Sequence, residues 1–222
     1  MRNLRLISIA KRLSIIKTIR FNFHYLRLRD AIKIPIFISR TVKIINLKGE
    51  VILDSENIKT GMILIGFGNI PIFDYSKSRS IWNNLGIVTF KGKASIGHGS
   101  KIGCRGKLKI GKNFQVTAES SILCNYAINF NDDVLLSWQI QIMDTDFHKV
   151  YSNNILKNQD SAIFIGSHTW IGSRVIINKG VVLPDNTVVA SGSVVTKSFY
   201  ESNILIGGVP ANILQKNITW EK

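Results

Sequence analysis

Between Ile165 and Val195 an aliphatic residue returns at every sixth position, as Ile165, Ile171, Ile177, Leu183, Val189 and Val195. A second train keeps the same step through Ile110, Val116, Ile122, Ile128, Val134 and Ile140. Six is neither a helical period nor a strand alternation, so this is not an ordinary amphipathic element. It is the hexapeptide repeat of a parallel β-helix, in which each unit forms one face of a coil. All twelve positions are Ile, Leu or Val, which chance does not supply. Each inward aliphatic contributes roughly 1.5–3 kcal/mol when buried. One coil cannot bury its own face, so only the stack is stable. The Gly after the aliphatic residue (97, 103, 111, 166, 172) suits a tight corner, and a small residue four places on (Ser100, Thr169, Ser193) fits a tapering interior.

The repeat divides the chain. Residues 1–35 carry spaced apolar residues (Leu4, Ile7, Leu13, Ile16, Ile19, Phe23, Leu26) and read as amphipathic helix with Arg and Lys on the wet side, ending near Pro35. Residues 36–197 read as the β-helix, with an insertion near 67–87 and a loop at 141–164. Residues 198–222 read as a C-terminal tail. From Ile140 to Ile165 the spacing is 25, one more than four repeats, and this slip in phase holds Asp144, Asp146 and His148.

Residues 1–48 hold twelve Lys or Arg against one acid, Asp30, and so carry +11 of the chain's net +15. Such a basic segment can meet anionic lipid or form the solvated side of a packed helix; the second is the expectation for its structural role. Nucleic acid is not expected as a partner, since no binding motif is present and the charge is confined to one segment. No apolar run approaches the roughly 18 residues of a membrane span. Lys11 and Arg12 interrupt the apolar stretch Leu6–Ala10, so a signal peptide is not expected and the protein reads as cytoplasmic. Cys104 and Cys124 form no zinc pattern; they read as free thiols stacked on adjacent coils.

The segments Ile165-Gly166-Ser167-His168-Thr169-Trp170-Ile171-Gly172-Ser173, Ala190-Ser191-Gly192-Ser193-Val194-Val195-Thr196-Lys197 and Gly208-Val209-Pro210-Ala211 resemble the hexapeptide-repeat acyltransferases. The likeness is to maltose and galactoside O-acetyltransferases, and more to the sugar O-acetyltransferases encoded with capsule and O-antigen genes. Phe21-Asn22-Phe23-His24-Tyr25-Leu26 and Met143-Asp144-Thr145-Asp146-Phe147-His148 are similar to that second group. The resemblance implies a mainly β fold whose coils wind left-handed, a homotrimer with sites at subunit interfaces, and acetyl-CoA as co-substrate with a sugar or glycan acceptor.

A base must take the proton from a sugar hydroxyl as it attacks the thioester, and histidine, with an ordinary pKa near 6.5, suits that task. The resemblance implies that role for His148. Asp146 or Asp144 could orient its ring, as an aspartate does in a serine-protease triad; Asp146, two residues away on an extended chain, is preferred. Both could instead cap a turn. The donor arm is implied to run past Trp170, Ser173, Ser191 and Thr196, with Lys197 beside them. Where relatives often carry arginines for the CoA phosphates this chain has Asn212 and Gln215, leaving Lys216 or Lys197 as substitutes. Trp138 is a candidate stacking platform for the sugar. His98 and His168 read as corner residues, His98 an exposed one, and His24 belongs to the helix. No metal is expected, since the gaps 98–148 and 148–168 do not place two histidines on one coil. N-acyl transfer to an amino sugar, acetylation of a small hydroxylated xenobiotic and a non-catalytic scaffold are the rival readings.

Overall fold

The computed structural model describes residues 9–68 and 70–222; Leu4 and Ile7 of the expected helix lie outside the described residues. Short strands, parallel except for the last (Ala211–Lys216), stack into three sheets of nine, seven and six strands, and the chain visits the three in turn as it winds left-handed up a triangular prism. Inside the prism the side chains form vertical rows. One row is Trp82, Ile102, Ile122, Ile142, Ile177 and Val195. A second runs through Phe90, Ile110, Phe130, Ile165 and Leu183, and a third through Ile96, Val116, Leu136, Ile171 and Val189. All of these are buried.

The rows correct the reading of the first train. Ile176 stacks under Val194 and Trp170 under Val188, an advance of 18 residues per coil, as a step of six requires. Below the loop, however, Gln115 meets Leu135 and Ser121 meets Gln141, an advance of 20. The two added residues sit at the corner between the second and third sheets, as Arg105–Gly106 and Asn125–Tyr126. Ile128 therefore stacks on Leu108 and Ile163, not on Ile110. The train looks regular because a residue two places before each row position is also buried, within the strand at Ile128 and just before it at Val134 and Ile140, and a step of six lands there after the added pair.

The same register brings Cys124 over Cys104, and the thiols are stacked and free, as expected, and buried. The thiol of Cys124 is pushed well up by its neighbour Cys104 and by burial. Ser100, Thr169 and Ser193 face the interior. At the corners the coils approach so closely that a Cβ on Gly97 would lie 1.8 Å from the Thr117 carbonyl oxygen.

Three boundaries move. The irregular insertion ends at Ser80, because Ile81–Asn84 and Ile87–Phe90 are strands of the stack, not part of a segment reaching 87. The loop is shorter than 141–164: Gln141–Met143 and Ile163–Ile165 remain in their sheets. The tail is not separate, since Ile204–Gly208 pairs in parallel with Thr187–Val189 and Ala211–Lys216 folds back on it.

At the other end α1 (Ile15–Tyr25) and the short α2 (Leu28–Ala31) cover the first coil. The strand Ile36–Ile38 is the edge of the nine-stranded sheet and needs partners on its open side. Asn22 supplies them: its Nδ2 donates to the Ile36 carbonyl at 2.7 Å, and its Oδ1 accepts from the Ile36 amide at 3.1 Å. Thr18 Oγ1 accepts from the Ile38 amide at 3.0 Å. Phe21 packs edge-on against Trp82, whose Nε1 donates to the Tyr25 hydroxyl. The helix thus turns Thr18 and Asn22 inward beside Phe21, and Ile15, Ile16, Ile19 and Phe23 face out. This overturns the expectation of a basic wet side over an apolar inner one.

Replacing Asn22 by Leu keeps the volume and orphans both polar groups of Ile36. Each orphaned buried group costs about 1–3 kcal/mol, so a loss of about 2–6 kcal/mol is expected in urea unfolding. Unchanged stability would show that the edge needs no cap.

Candidate active site

The loop leaves the second sheet after Met143 and rejoins the third at Ile163, so Ile142 and its stacking partner Ile177 are 35 residues apart. The interruption is therefore a whole inserted arm, not a one-residue slip. Asp144 anchors its root. Fully buried, its carboxylate accepts from the backbone amides of Asn125 at 2.7 Å and Tyr126 at 2.9 Å, on the coil below. Asn125 in turn donates through Nδ2 to Asp160 at 2.6 Å, tying the two ends of the loop together. Each carboxylate oxygen of Asp144 thus caps the turn below, and among the described residues no hydrogen bond joins it to a histidine.

Beyond Thr145 the chain turns sharply, with the Phe147 amide donating to Thr145 Oγ1 and Phe147 itself at φ 59°. His148 follows on the exposed side. Its amide donates to the Asp146 carbonyl at 2.7 Å, and its carbonyl accepts from Asn158 Nδ2 at 2.7 Å. The Asp146 carboxylate accepts from Lys179 Nζ at 2.6 Å and from Asn158 Nδ2 at 2.9 Å. Lys179 and then Asn158 hold its pKa below the usual carboxylate value. Asp146 thus braces the backbone of His148; among the described residues no hydrogen bond joins its carboxylate to the imidazole. His148 lines a cavity of about 360 Å³ with Arg105, Asn125, Thr145, Lys149 and Asp160. Past it the chain forms a hairpin, Tyr151–Ser152 against Ile155–Leu156, turned by Asn153 and Asn154 at φ 50° and 59°. Val150, Tyr151 and Ile155 stand out from it into solvent.

The expected donor residues lie elsewhere. Ser173 and Ser191 occupy the corner between the first and second sheets, one above the other, with Ser173 Oγ donating to Ser191 Oγ at 3.3 Å. Trp170 lies on the first sheet, donates Nε1 to Ser137 Oγ at 3.1 Å and abuts Trp220. Trp220 stacks on His168 at 4.4 Å. Trp138 shares the Ser173 corner, since its carbonyl accepts from the Arg174 amide. Thr196 and Lys197 share the loop's corner, above Lys179. Lys197 Nζ donates to Asn212 Oδ1 at 2.6 Å, and Lys216 pairs with Glu201 at 2.8 Å. Within one chain His148 and the Ser173–Ser191 corner are thus separated by the second sheet, a face roughly 10–13 Å wide for a four-residue strand.

His98 is a correction. It is fully buried, because the insertion closes over its corner with Phe73 set edge-on to its ring at 6.0 Å. Both ring nitrogens lack partners, and burial pushes its pKa down. Among the described residues no three His, Cys, Asp or Glu side chains form a group able to hold a metal. The sequence reading missed Asn158, Lys179 and Arg105. Lys179 follows one coil after the loop's corner, so the repeat register could have found it; Asn158 had no signal.

No family model matches the chain. A prism of left-handed coils broken by one histidine-bearing arm nevertheless defines a class, and the comparisons agree on it. A protein of Klebsiella pneumoniae described as an uncharacterized 24.8 kDa protein in the cps region is 32% identical over 202 residues, covering 90% of this chain and 87% of its own. The galactoside O-acetyltransferase of Escherichia coli K12 is 34% identical over 112 residues, 49% of this chain; the match spans about half of that enzyme, 54%. The crystal structure of the polySia-specific acetyltransferase NeuO superposes with a TM-score of 0.51 at 22% identity, covering 82% of this chain and 72% of that one, a likeness of fold. The chain belongs to the hexapeptide-repeat acyltransferases.

Removing the Asn158 side chain (Asn158→Ala) frees the His148 carbonyl and one side of Asp146. The stack is untouched, so thermal unfolding should stay within about 0.5 kcal/mol of wild type while protease cleavage within 145–160 accelerates. Equal cleavage rates would show that Asn158 does not hold the arm.

Proposed function

We propose that this protein is an acetyl-CoA-dependent O-acetyltransferase acting on a sugar hydroxyl of a surface polysaccharide or its precursor, with His148 as general base. The observation that carries the reading is the mounting of His148. It is the one histidine on the inserted arm, exposed beside a cavity, with its backbone held from both sides by Asp146 and Asn158. The relatives' descriptions, a galactoside O-acetyltransferase and a protein of the cps region, support sugar chemistry and a polysaccharide context.

In this reading the imidazole takes the acceptor hydroxyl proton as the oxygen attacks the thioester carbonyl. The tetrahedral intermediate collapses, the carbon–sulfur bond breaks, and the imidazolium returns the proton to the leaving CoA thiolate. Asp146 positions His148 through the backbone, and Asp144 holds the arm's root. Backbone amides and hydroxyls at Ser173 and Ser191 serve the pantetheine arm as rigid donors. Trp170, Thr196, Lys197 and Lys216 are the further donor-side residues, although Lys197 and Lys216 must leave Asn212 and Glu201 to meet phosphates.

A second copy solves the separation of the two corners. In a homotrimer the arm of one subunit, with Phe147, Val150, Tyr151 and Ile155 exposed along it, can lie against the Ser173–Ser191 corner of the next. The site would then be built between subunits in the cytoplasm. The basic N-terminal segment would hold the enzyme at the inner membrane face, where lipid-linked glycans are assembled.

His148→Ala is expected to lower CoA release from acetyl-CoA with a sugar acceptor by on the order of 10²–10⁴-fold, with acetyl-CoA binding by calorimetry unchanged. Wild-type turnover in the variant would remove His148 from the chemistry. Absence of acetyl-CoA binding in the wild type would favour a scaffold.

A further inference from the structure

Among the described residues, helix α1 leaves its apolar side without a partner. Ile15, Ile16, Ile19 and Phe23 are 67%, 81%, 48% and 47% exposed. At 100° per residue they share one face of the helix, and Leu28 and Ile32 extend the exposed apolar surface beyond it. Isolated surface aliphatics are ordinary; a contiguous patch marks a surface that meets something. Lys11, Arg20, Arg27, Arg29 and Lys33 surround it, all exposed. The single acid of residues 1–48, Asp30, is paired with Arg29.

We propose that this face of α1 seats on an anionic bilayer surface, with the four apolar side chains in the headgroup–acyl boundary and the surrounding cations on lipid phosphates. The inference deepens the membrane reading above and rests on it for location only, not on the acyl-transfer chemistry. Charge decides for lipid against a second copy. Face-to-face contact would bring together two segments of net +11 each, whereas an anionic leaflet complements them. The other side of the helix is committed: Thr18, Phe21 and Asn22 fasten it to the first coil, so the apolar residues are presented as a fixed ridge. Among the described residues no helix is long and apolar enough to cross a membrane, and the 11 residues of α1 suit a helix lying in the interface plane.

The test is sedimentation of the full chain with vesicles of phosphatidylcholine alone and of phosphatidylcholine with an equal part of phosphatidylglycerol. Wild type should pellet with the second and not with the first. Ile16→Asp with Ile19→Asp, and separately Arg20→Glu with Arg27→Glu, should each lower partitioning by about tenfold or more. Binding to neither vesicle, equal binding to both, or variants that partition like wild type would overturn the proposal. So would a fall in oligomer mass by light scattering in the isoleucine variant, which would assign the face to a contact between copies. CoA release with a soluble acceptor, read on the same samples, should be unchanged. Failure of the acyl-transfer reading would appear there and not in the pellet.

Discussion

Everything in this molecule depends on parallel strands being stacked in register, coil on coil. Each inward residue rests on the residue one coil below, and rows such as Ile102, Ile122, Ile142 and Ile177 run unbroken through the prism. No coil buries its own interior, so the register is the source of stability and of shape together. The corners have no slack, as the crowding at Gly97 shows. Length can be added only where the chain leaves a corner outward. The chain does so most extensively after Phe67, where the insertion folds back over His98, and after Met143, where the arm carries His148 away from the wall.

The arm is a long excursion from the wall, but a fastened one. Asp144 locks its root to the coil below, Asn125 holds Asp160 at its far end, and Lys179 reaches down from the coil above to Asp146. A loop held at three points by a rigid scaffold is a way to present one side chain accurately. The electrostatics follow the same plan. Lys179 holds the Asp146 pKa down, and the carboxylate shares Asn158 with the His148 carbonyl, so the charge pair braces the backbone while, among the described residues, making no hydrogen bond to the imidazole.

Much of the fold could be read in the sequence, because an inward row repeats whenever the coil length is constant. The upper coils, with strictly six-residue faces, showed themselves without ambiguity. The lower coils did not, since two added residues at one corner and a buried residue two places before each row position together imitate the same step. His148 was legible as the histidine in the break. The separate duties of Asp144 and Asp146 were not: spacing says which way a side chain points but not that a backbone amide or a lysine 33 residues later will claim it. The buried state of His98 depends on an insertion with no periodicity. The inverted face of α1 follows from the hydrogen-bonding needs of a sheet edge, which hydrophobic patterning does not contain; Asn22 and Thr18 point inward because Ile36 and Ile38 require them.

The central claim is that the histidine arm of one subunit works against the Ser173–Ser191 corner of another. It is tested most directly by complementation between two inactive variants, His148→Ala and Ser191→Trp, co-expressed with different tags and purified through both. If sites form between subunits, mixed trimers contain one site with both halves intact, and CoA release should recover to about one third of wild type. Mixed assemblies as inactive as either parent would contradict the account.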